Sequence, residues 1–445
     1  MSAPSSPAGD VPVWKRPWLG GDGARGLGAL LVFIAHIAFA ESTYARLQWD
    51  GLPGRDVYEI FGGELGMRSV LAPARLVNLF FAFSAYLLAR PFLAWALGRV
   101  QRPSTWRFYV RRALRILPAY WALIALLIVW LVVMKGGPLE AWRTVKTLLL
   151  LEGGLSHAGF DWGWAAPLEP AWTVRVEVIG YVLLPLIALG WWLLGRRFGM
   201  AGLVAGVAFL TVLTLAVKFG NSQLLDGPGL LQWMFIPGLV VALVEAHGPL
   251  QQRLAGWRRG PTLWMTLAAF LLLIGSEPAG TQITTKAIEG VDLQSLPPDV
   301  ATDRIEDALR LGYAVGVPMQ IVGATVLLLG LIALEWQGGR PPIKLDSRVA
   351  RWFGERSYSF YLVHFAVLGA LLPRVLPDEK GVVGLLGLGV VAFAVSLALT
   401  VVLFRFVETP GMLLAAKLTG RRPPGPLQFQ REHPASDGAP PGERS

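Results

Sequence analysis

Ten runs of mostly apolar residues, each near the length of a membrane span, recur along the chain, and few folds can accept them. They cover roughly 26–44, 77–98, 114–134, 172–194, 199–217, 229–246, 262–275, 312–335, 354–373 and 382–406. A hydrocarbon layer of about 30 Å is crossed by about 20 helical residues. Backbone polar groups in lipid must be satisfied internally, so spans are helices or closed barrels. No period-two alternation suggests a barrel. The prediction is an all-α polytopic membrane helix bundle of about ten transmembrane helices, with 262–275 the shortest. Only 16% of residues are charged, against about 25% in soluble domains. The 18 Trp and 51 Gly also suit a membrane protein, where Trp marks interfaces and Gly is frequent within helices. Cysteine is absent, which excludes disulfides, thiolate metal sites and a cysteine nucleophile.

Ten spans place both termini on one side. With N-in and C-in, the cytoplasmic stretches together with the inner ends of the adjoining spans hold 26 of the 40 Lys and Arg, the outer loops hold 13, and Arg175 falls nearer the outer end of a span. Acidic residues run the other way, 19 outside against 10 inside. This is the bias that orients membrane proteins. It also explains the net charge of +10 without nucleic acid.

Residues 1–23 read as a cytoplasmic tail around Trp14-Lys15-Arg16 and not as a signal peptide, because the first apolar run starts late and lacks a small-residue cleavage site. Residues 24–415 form the membrane domain, and the Pro-rich stretch 416–445 reads as a disordered cytoplasmic tail. Three long outer loops are expected at 45–75, 135–171 and 276–311, the last acidic, with a short interfacial helix starting near Ile305.

Charged groups at mid-membrane cost about 2.5–3.5 kcal/mol on insertion scales, so they usually face the bundle interior and serve function. His36 lies eleven residues after Arg25, about 16 Å deeper along a helix. Glu177 lies five residues after Trp172, about 8 Å in if that ring is interfacial, and Arg175 is its neighbour. His364 falls near the middle of the ninth span, and Asn78 and Ser84 lie on different faces of the second. Neutral His is the usual general base, and a carboxylate can fix its tautomer. Interhelical hydrogen bonding is the competing explanation for any one of these groups.

A second feature is basic. Arg107, Arg111, Arg112 and Arg115 crowd the entrance to the third span, with Arg90, Arg99 and Arg102 nearby. Arginine binds phosphate bidentately, so the cluster fits a phosphorylated cytoplasmic cosubstrate. Anchoring on anionic lipid is the alternative. No phosphate loop, dinucleotide fingerprint, zinc-binding His-Glu-x-x-His or nucleophile elbow occurs, and no metal site is expected.

Six segments in order resemble the membrane acyltransferase-3 family, the O-antigen acetyltransferase-like enzymes. They are Arg25 to His36, Asn78 to Leu87, Phe108 to Pro118, Trp172-Thr173-Val174-Arg175-Val176-Glu177 with Tyr181 and Pro185, Ser357 to His364, and Glu408 with Pro410. Departures are Asn78 where the family usually has Asp, Ala85 for Gly, Thr173 and Val174 for Ser and Leu, and the unusual Arg175. The resemblance implies transfer of an acyl group, often acetyl, from cytoplasmic acyl-CoA to a hydroxyl of a sugar, glycolipid or other acceptor. It implies no bound cofactor, acyl-CoA being a cosubstrate. His36 would deprotonate the acceptor and Glu177 would orient His36 or the acceptor. Arg25, Arg111, Arg112 and Arg115 would bind the donor. Asn78, Ser84, Trp172, Arg175, Tyr361 and His364 would support them, with Ser84 a conceivable nucleophile. A proton-coupled transporter with the same buried groups as a relay is the alternative, although no paired half-repeats are visible. A silent lipid-binding scaffold is a third possibility. The inner membrane of a bacterium is the expected location.

Overall fold

A computed structural model describes residues 20–48, 72–130, 133, 141–151, 172–220, 233–292, 295–338, 344–375 and 381–420. The tails 1–19 and 421–445, most of the expected loops 45–75 and 135–171, and His157 and His433 lie outside the described residues. Among the described residues there is no strand. The helices are α1 (Gly21–Gln48), α2 (Val77–Ala96, entered through a 3-10 turn at Ala72–Leu76), α3 (Thr105–Trp130), α4 (Ala141–Leu148) and α5 (Trp172–Gly220). They continue with α6 (Ile236–Ala246), α7 (Pro249–Ala255), α8 (Arg259–Ile288), α9 (Pro298–Trp336), α10 (Arg348–Glu355), α11 (Ser357–Val375), α12 (Gly381–Leu403) and α13 (Thr409–Thr419). A π-helical turn, Phe404–Glu408, joins α12 to α13.

Each of the ten predicted segments falls largely or wholly within helix. By length and apolar composition six helices among the described residues can cross a membrane, and a seventh if α6 and α7, bent by 94°, form one broken span. The 49-residue α5 is really two limbs. Gly199 breaks it with φ 59°, ψ −138°, a backbone conformation open to glycine and costly for other residues. Gly202 then meets the Leu194 carbonyl and Gly206 meets the Trp191 ring, so the limbs run antiparallel. The faces turned outward are apolar: Leu126 and Val129 on α3, Leu186, Phe209 and Val212 on α5, Trp264 on α8 and Val390 on α12 are all exposed. Exposed apolar surface spread over so many helices is what a lipid solvent permits and water does not. The chain is an all-α, multi-pass membrane bundle.

Two boundaries differ from the expectation. The stretch 276–311 is not chiefly a loop: α8 runs on to Ile288 and α9 begins at Pro298, so Ile305 lies inside α9. Gly280 meets Gly312, Gly316 meets the Ser276 carbonyl, and Gly323 and Gly330 meet Leu273 and Thr266. These small residues let the two helices pack antiparallel well past the apolar zone. Hydropathy marks where a span ends, and polar helix formers carried this pair further. The last span likewise does not stop at 406 but continues through the π turn to Thr419.

The N-terminal end of α1 is clamped by α10. A Cβ at Gly23 would meet the Leu345 carbonyl at 2.0 Å, and one at Gly354 would meet the Asp22 carbonyl at 1.7 Å. Only glycine allows backbones this close. Gly28 faces Phe80, and Arg25 shares a cavity wall with Ser84, so α1 runs antiparallel to α2.

Candidate active site

Two narrow openings, about 70 and 60 Å3, share Arg25, Ser84, Glu177 and Tyr358 as walls. The first adds Phe80, Phe81, Thr173 and Tyr361, and the second adds Arg112, Arg115 and Tyr181. The centre is Glu177. Its carboxylate accepts from the Ser84 hydroxyl at 2.7 Å and from the Tyr181 hydroxyl one turn away. The Arg112 guanidinium lies over the Tyr181 ring, 5.2 Å from its centroid. Tyr358 donates to the Ile116 carbonyl at 2.9 Å, which ties α11 to α3 across the cavity. Three arginines therefore face one carboxylate in the second opening, a local surplus of positive charge.

Buried behind Tyr358 is Glu408, fully shielded from solvent. The Ser359 hydroxyl donates to one of its oxygens at 2.6 Å, while the other has no hydrogen-bond partner among the described residues. Arg115, Arg25 and Arg356 are the cations whose fields reach it. The π turn places it there, as such turns often do at functional positions.

His36 and His364 form a pair. His36 Nδ1 lies 2.7 Å from His364 Nε2, the rings nearly parallel with centroids 5.0 Å apart. His364 Nδ1 lies 3.2 Å from the Phe360 carbonyl. A carbonyl only accepts, so Nδ1 of His364 carries the proton and its Nε2 accepts from His36 Nδ1–H. The proton positions follow from this network. The neutral His36 is thereby held with its lone pair on Nε2. Phe33, Phe360 and Phe365 surround the pair. Tyr361 connects the two groups: its ring lines the cavity and lies 5.5 Å from that of His364.

The predicted residues thus divide. Arg25, Arg112, Arg115, Ser84, Glu177 and Tyr361 line the openings, and His36 joins His364 beside them. Glu177 hydrogen-bonds Ser84 and Tyr181, and the side chain that orients His36 is His364. Counting from an interfacial Trp172 puts Glu177 about 8 Å in. Trp172 packs against Phe81, centroids 6.0 Å apart, and Glu177 shares both openings with Arg25. Arg111 turns to the Arg107 carbonyl and lines neither opening, and Arg175 lines neither. Asn78, buried, donates to Gln320 on α9 at 2.8 Å. Tyr358, Tyr181 and Glu408 are site residues that a search for intramembrane charge passes over. Glu408 is an acid just beyond an apolar run, which was the available signal.

Outside the spans, Glu355 sits beside the α1 clamp. Burial, and then the nearby Asp22 carboxylate, hold its carboxyl above the usual range, while Arg356 pulls it back. Among the described residues no group of three or more His, Asp or Glu could hold a metal ion.

Comparison with known proteins gives the family. The family model described as an acyltransferase domain matches residues 19–404. The chain belongs to the acyltransferase-3 family. The matched region holds His36 and His364 and every residue that lines the two openings, while Glu408 lies just beyond its end. A relative named "Putative peptidoglycan O-acetyltransferase YrhL", from Bacillus subtilis (strain 168), is 24% identical over 307 residues, 66% of this chain and 44% of the relative. The match thus spans less than half of that relative's length. No solved structure matches the chain.

Proposed function

We propose that this acyltransferase moves an acyl group, acetyl being the simplest, from cytoplasmic acyl-CoA to a hydroxyl of a sugar or glycolipid, in the inner membrane of a bacterium. The observation that carries the reading is a distance. Arg25, Arg112 and Arg115 surround one end of the cavity, and His36 lies eleven residues along α1 from Arg25. That is about 16 Å at 1.5 Å per residue. The arm of CoA from its diphosphate to sulfur is about thirteen bonds, and a chain extended at ~1.2 Å per bond reaches about 16 Å. Phosphates held by the arginines would bring the thioester to the level of His36. The openings are narrow, which suits a slender arm and excludes a sugar ring.

In this mechanism Arg112 and Arg115 bind the CoA phosphates by charge-assisted hydrogen bonds. His36 Nε2 takes the proton from the acceptor hydroxyl as its oxygen attacks the thioester carbonyl. The C–S bond breaks, the acyl–oxygen bond forms, and the proton passes from His36 to the departing thiolate. His364 accepts from Nδ1–H throughout and so stabilises the imidazolium at the peak of the reaction. Glu177, hydrogen-bonded by Ser84 and Tyr181, lines the same openings as Arg25 and offsets the arginine charge there. Arg25, at the phosphate end, steadies the arm.

The test is CoA release. Protein in nanodiscs receives labelled acetyl-CoA with and without a bacterial glycolipid and cell-wall extract. Release of CoA with label moving into the extract, reduced by 10²- to 10⁴-fold in His36→Ala, is expected for loss of a general base. Release unaffected by His36→Ala would reject His36 as base. Absence of release with every extract and chain length would reject the donor.

A further inference from the structure

A third cavity, about 350 Å3, lies outside the donor openings. We propose that it is the acceptor site and that it holds a short saccharide bearing at most one negative charge. The proposal rests on the acyl-transfer reading for the use made of the sugar, but not for the binding itself.

Place comes first. The cavity is walled by Arg75 at the start of α2, by Thr214 and Lys218 at the end of α5, and by facing stretches of α8 and α9. Along α2 the residues that meet cavities follow in order. Arg75 belongs to this one, Val77, Phe80 and Phe81 to the first donor opening, and Leu87 and Leu88 to the arginine-rich one. The saccharide cavity therefore occupies the end of α2 away from Arg112 and Arg115. Because α1 runs antiparallel to α2, His36 lies about 12 Å beyond the Gly28–Phe80 contact, toward this same end. Donor and acceptor would enter from opposite ends of the bundle and meet near His36.

Size and chemistry come next. The volume is at the low end of ligand pockets, about 300–1,000 Å3, and several times that of either donor opening. Gly280, Gly312 and Gly316 leave the room, since a side chain at Gly312 would meet Thr284 and the Gly280 carbonyl. The hydroxyls on the wall already spend their protons on their own helices. Thr281 donates to Glu277 O at 2.8 Å, Thr284 to Gly280 O at 3.1 Å, Ser276 to Leu273 O at 2.6 Å and Thr214 to Leu210 O at 2.9 Å. What they offer a ligand is lone pairs, which suit hydroxyl donors. Arg75 and Glu277 form an ion pair open to the cavity, and Lys218 lies 4.4 Å from the Tyr313 ring centroid. Tyr313 and Trp233 supply apolar faces for a sugar ring. Two cations against one carboxylate leave room for one anionic group on the ligand.

A link to the donor side is present. Gln320 lines the cavity and accepts from Asn78. Asn78 Oδ1 is buried and has no hydrogen-bond partner among the described residues, a costly state unless something completes it. Asn78 lies six residues, about 9 Å, before Ser84 on α2. Occupancy of the cavity can thus be felt at the α2 turn that leads to the reaction centre.

The experiment is direct binding to the full chain in nanodiscs without acyl-CoA. The probes are an N-acetylglucosamine tetramer, the same tetramer with one carboxylate-bearing sugar, and the polyol mannitol as control, read by calorimetry and by thermal shift. We expect a saturable, dose-dependent stabilisation by at least one saccharide and none by mannitol. Tyr313→Leu and Thr281→Val should each weaken that binding tenfold or more, and in turnover should raise the acceptor KM while the KM for acetyl-CoA stays within twofold. Trp264→Ala, exposed on the outer face of α8, should change neither. Wild-type protein that binds no saccharide at millimolar concentration, or binding unmoved by both cavity variants, overturns the proposal. The wild-type titration needs no variant to fold. Binding that behaves as expected without CoA release from acetyl-CoA would sustain the cavity and reject the donor reading. CoA-dependent transfer whose acceptor KM ignores Tyr313 and Thr281 would do the reverse.

Discussion

Replacing His364 by Phe separates positioning from base chemistry. Phe is close in size to His and keeps the aromatic contacts with Phe33, Phe360 and Tyr361, but it offers no acceptor to His36 Nδ1–H. In the resting enzyme the loss is a neutral hydrogen bond, about 1 kcal/mol. When His36 becomes imidazolium the bond is to a charged group, worth about 1.5–3 kcal/mol. Only the difference between the two states slows the reaction, about 0.5–2 kcal/mol, so at 1.36 kcal/mol per decade the rate should fall roughly 2- to 30-fold. The fall should appear in kcat and in kcat/KM alike, because the charged state exists only on the reaction path. His364→Gln keeps a carbonyl acceptor and should recover part of the loss. The assay is CoA release at saturating acetyl-CoA and acceptor, with thermal stability measured beside it. A kcat within twofold of wild type for His364→Phe, in protein of native stability, would refute the positioning role. A rise in KM alone would refute it too.

Further tests address the other groups. Arg112→Ala and Arg115→Ala should each raise the KM for acetyl-CoA by tenfold or more, the value of one charge-assisted hydrogen bond, and leave turnover of S-acetyl-pantetheine, which lacks the nucleotide phosphates, within twofold. Glu245→Ala removes the carboxylate bonded by Tyr86 and by Arg90 at 2.8 Å. Breaking a buried pair on one side costs about 3–5 kcal/mol, and the folded yield on size exclusion should drop sharply. Gly312→Val should lower thermal stability by about 1–3 kcal/mol through overpacking, since its side chain would meet Thr284 Oγ1 at 2.2 Å from the Cβ alone. Glu355 has a raised carboxyl pKa in the fold. The folded state then binds the proton more tightly than the unfolded, so its contribution favours folding at acid pH and fades as pH rises through the carboxylate range and above. Glu355→Gln should therefore be more stable than wild type at pH 8, with the difference shrinking toward pH 4; a constant difference across that range would refute the assignment.

What could be read from the sequence follows the physics of lipid. Apolar runs such as 77–98 and 312–335 must be helices there, and they are. The end of a run is less telling. Thr281, Thr284, Lys286 and Glu306 are polar, so 276–311 reads as a loop, yet all are compatible with helix and sit on a glycine-lined pair. Glu408 is legible only through the family resemblance: it stands two residues past an apolar run that the helix ignores. The arginines at 111, 112 and 115 were legible as a group, but not which of them face the cavity. Helical spacing puts Arg112 and Arg115 on one face, and the structure turns that face to Glu177 while Arg111 points back to Arg107.

The partner of His36 was the hardest feature to foresee. A lone buried His beside a buried Glu invites a carboxylate-oriented base, the commonest arrangement. Tertiary packing decides otherwise. Antiparallel α1 and α2 carry Arg25 to the level of Ser84, so Arg25, eleven residues from His36, lines the same openings as Glu177. His36 is left among Phe33, Phe360 and Phe365, where a carboxylate would have to be desolvated at a cost of several kcal/mol. A second neutral imidazole, with its own proton fixed on the Phe360 carbonyl, supplies an acceptor without importing a charge into that shell. The arrangement gives His36 an uncharged acceptor, and it leaves Glu177 among Arg25, Arg112 and Arg115, the group proposed above to hold the donor phosphates.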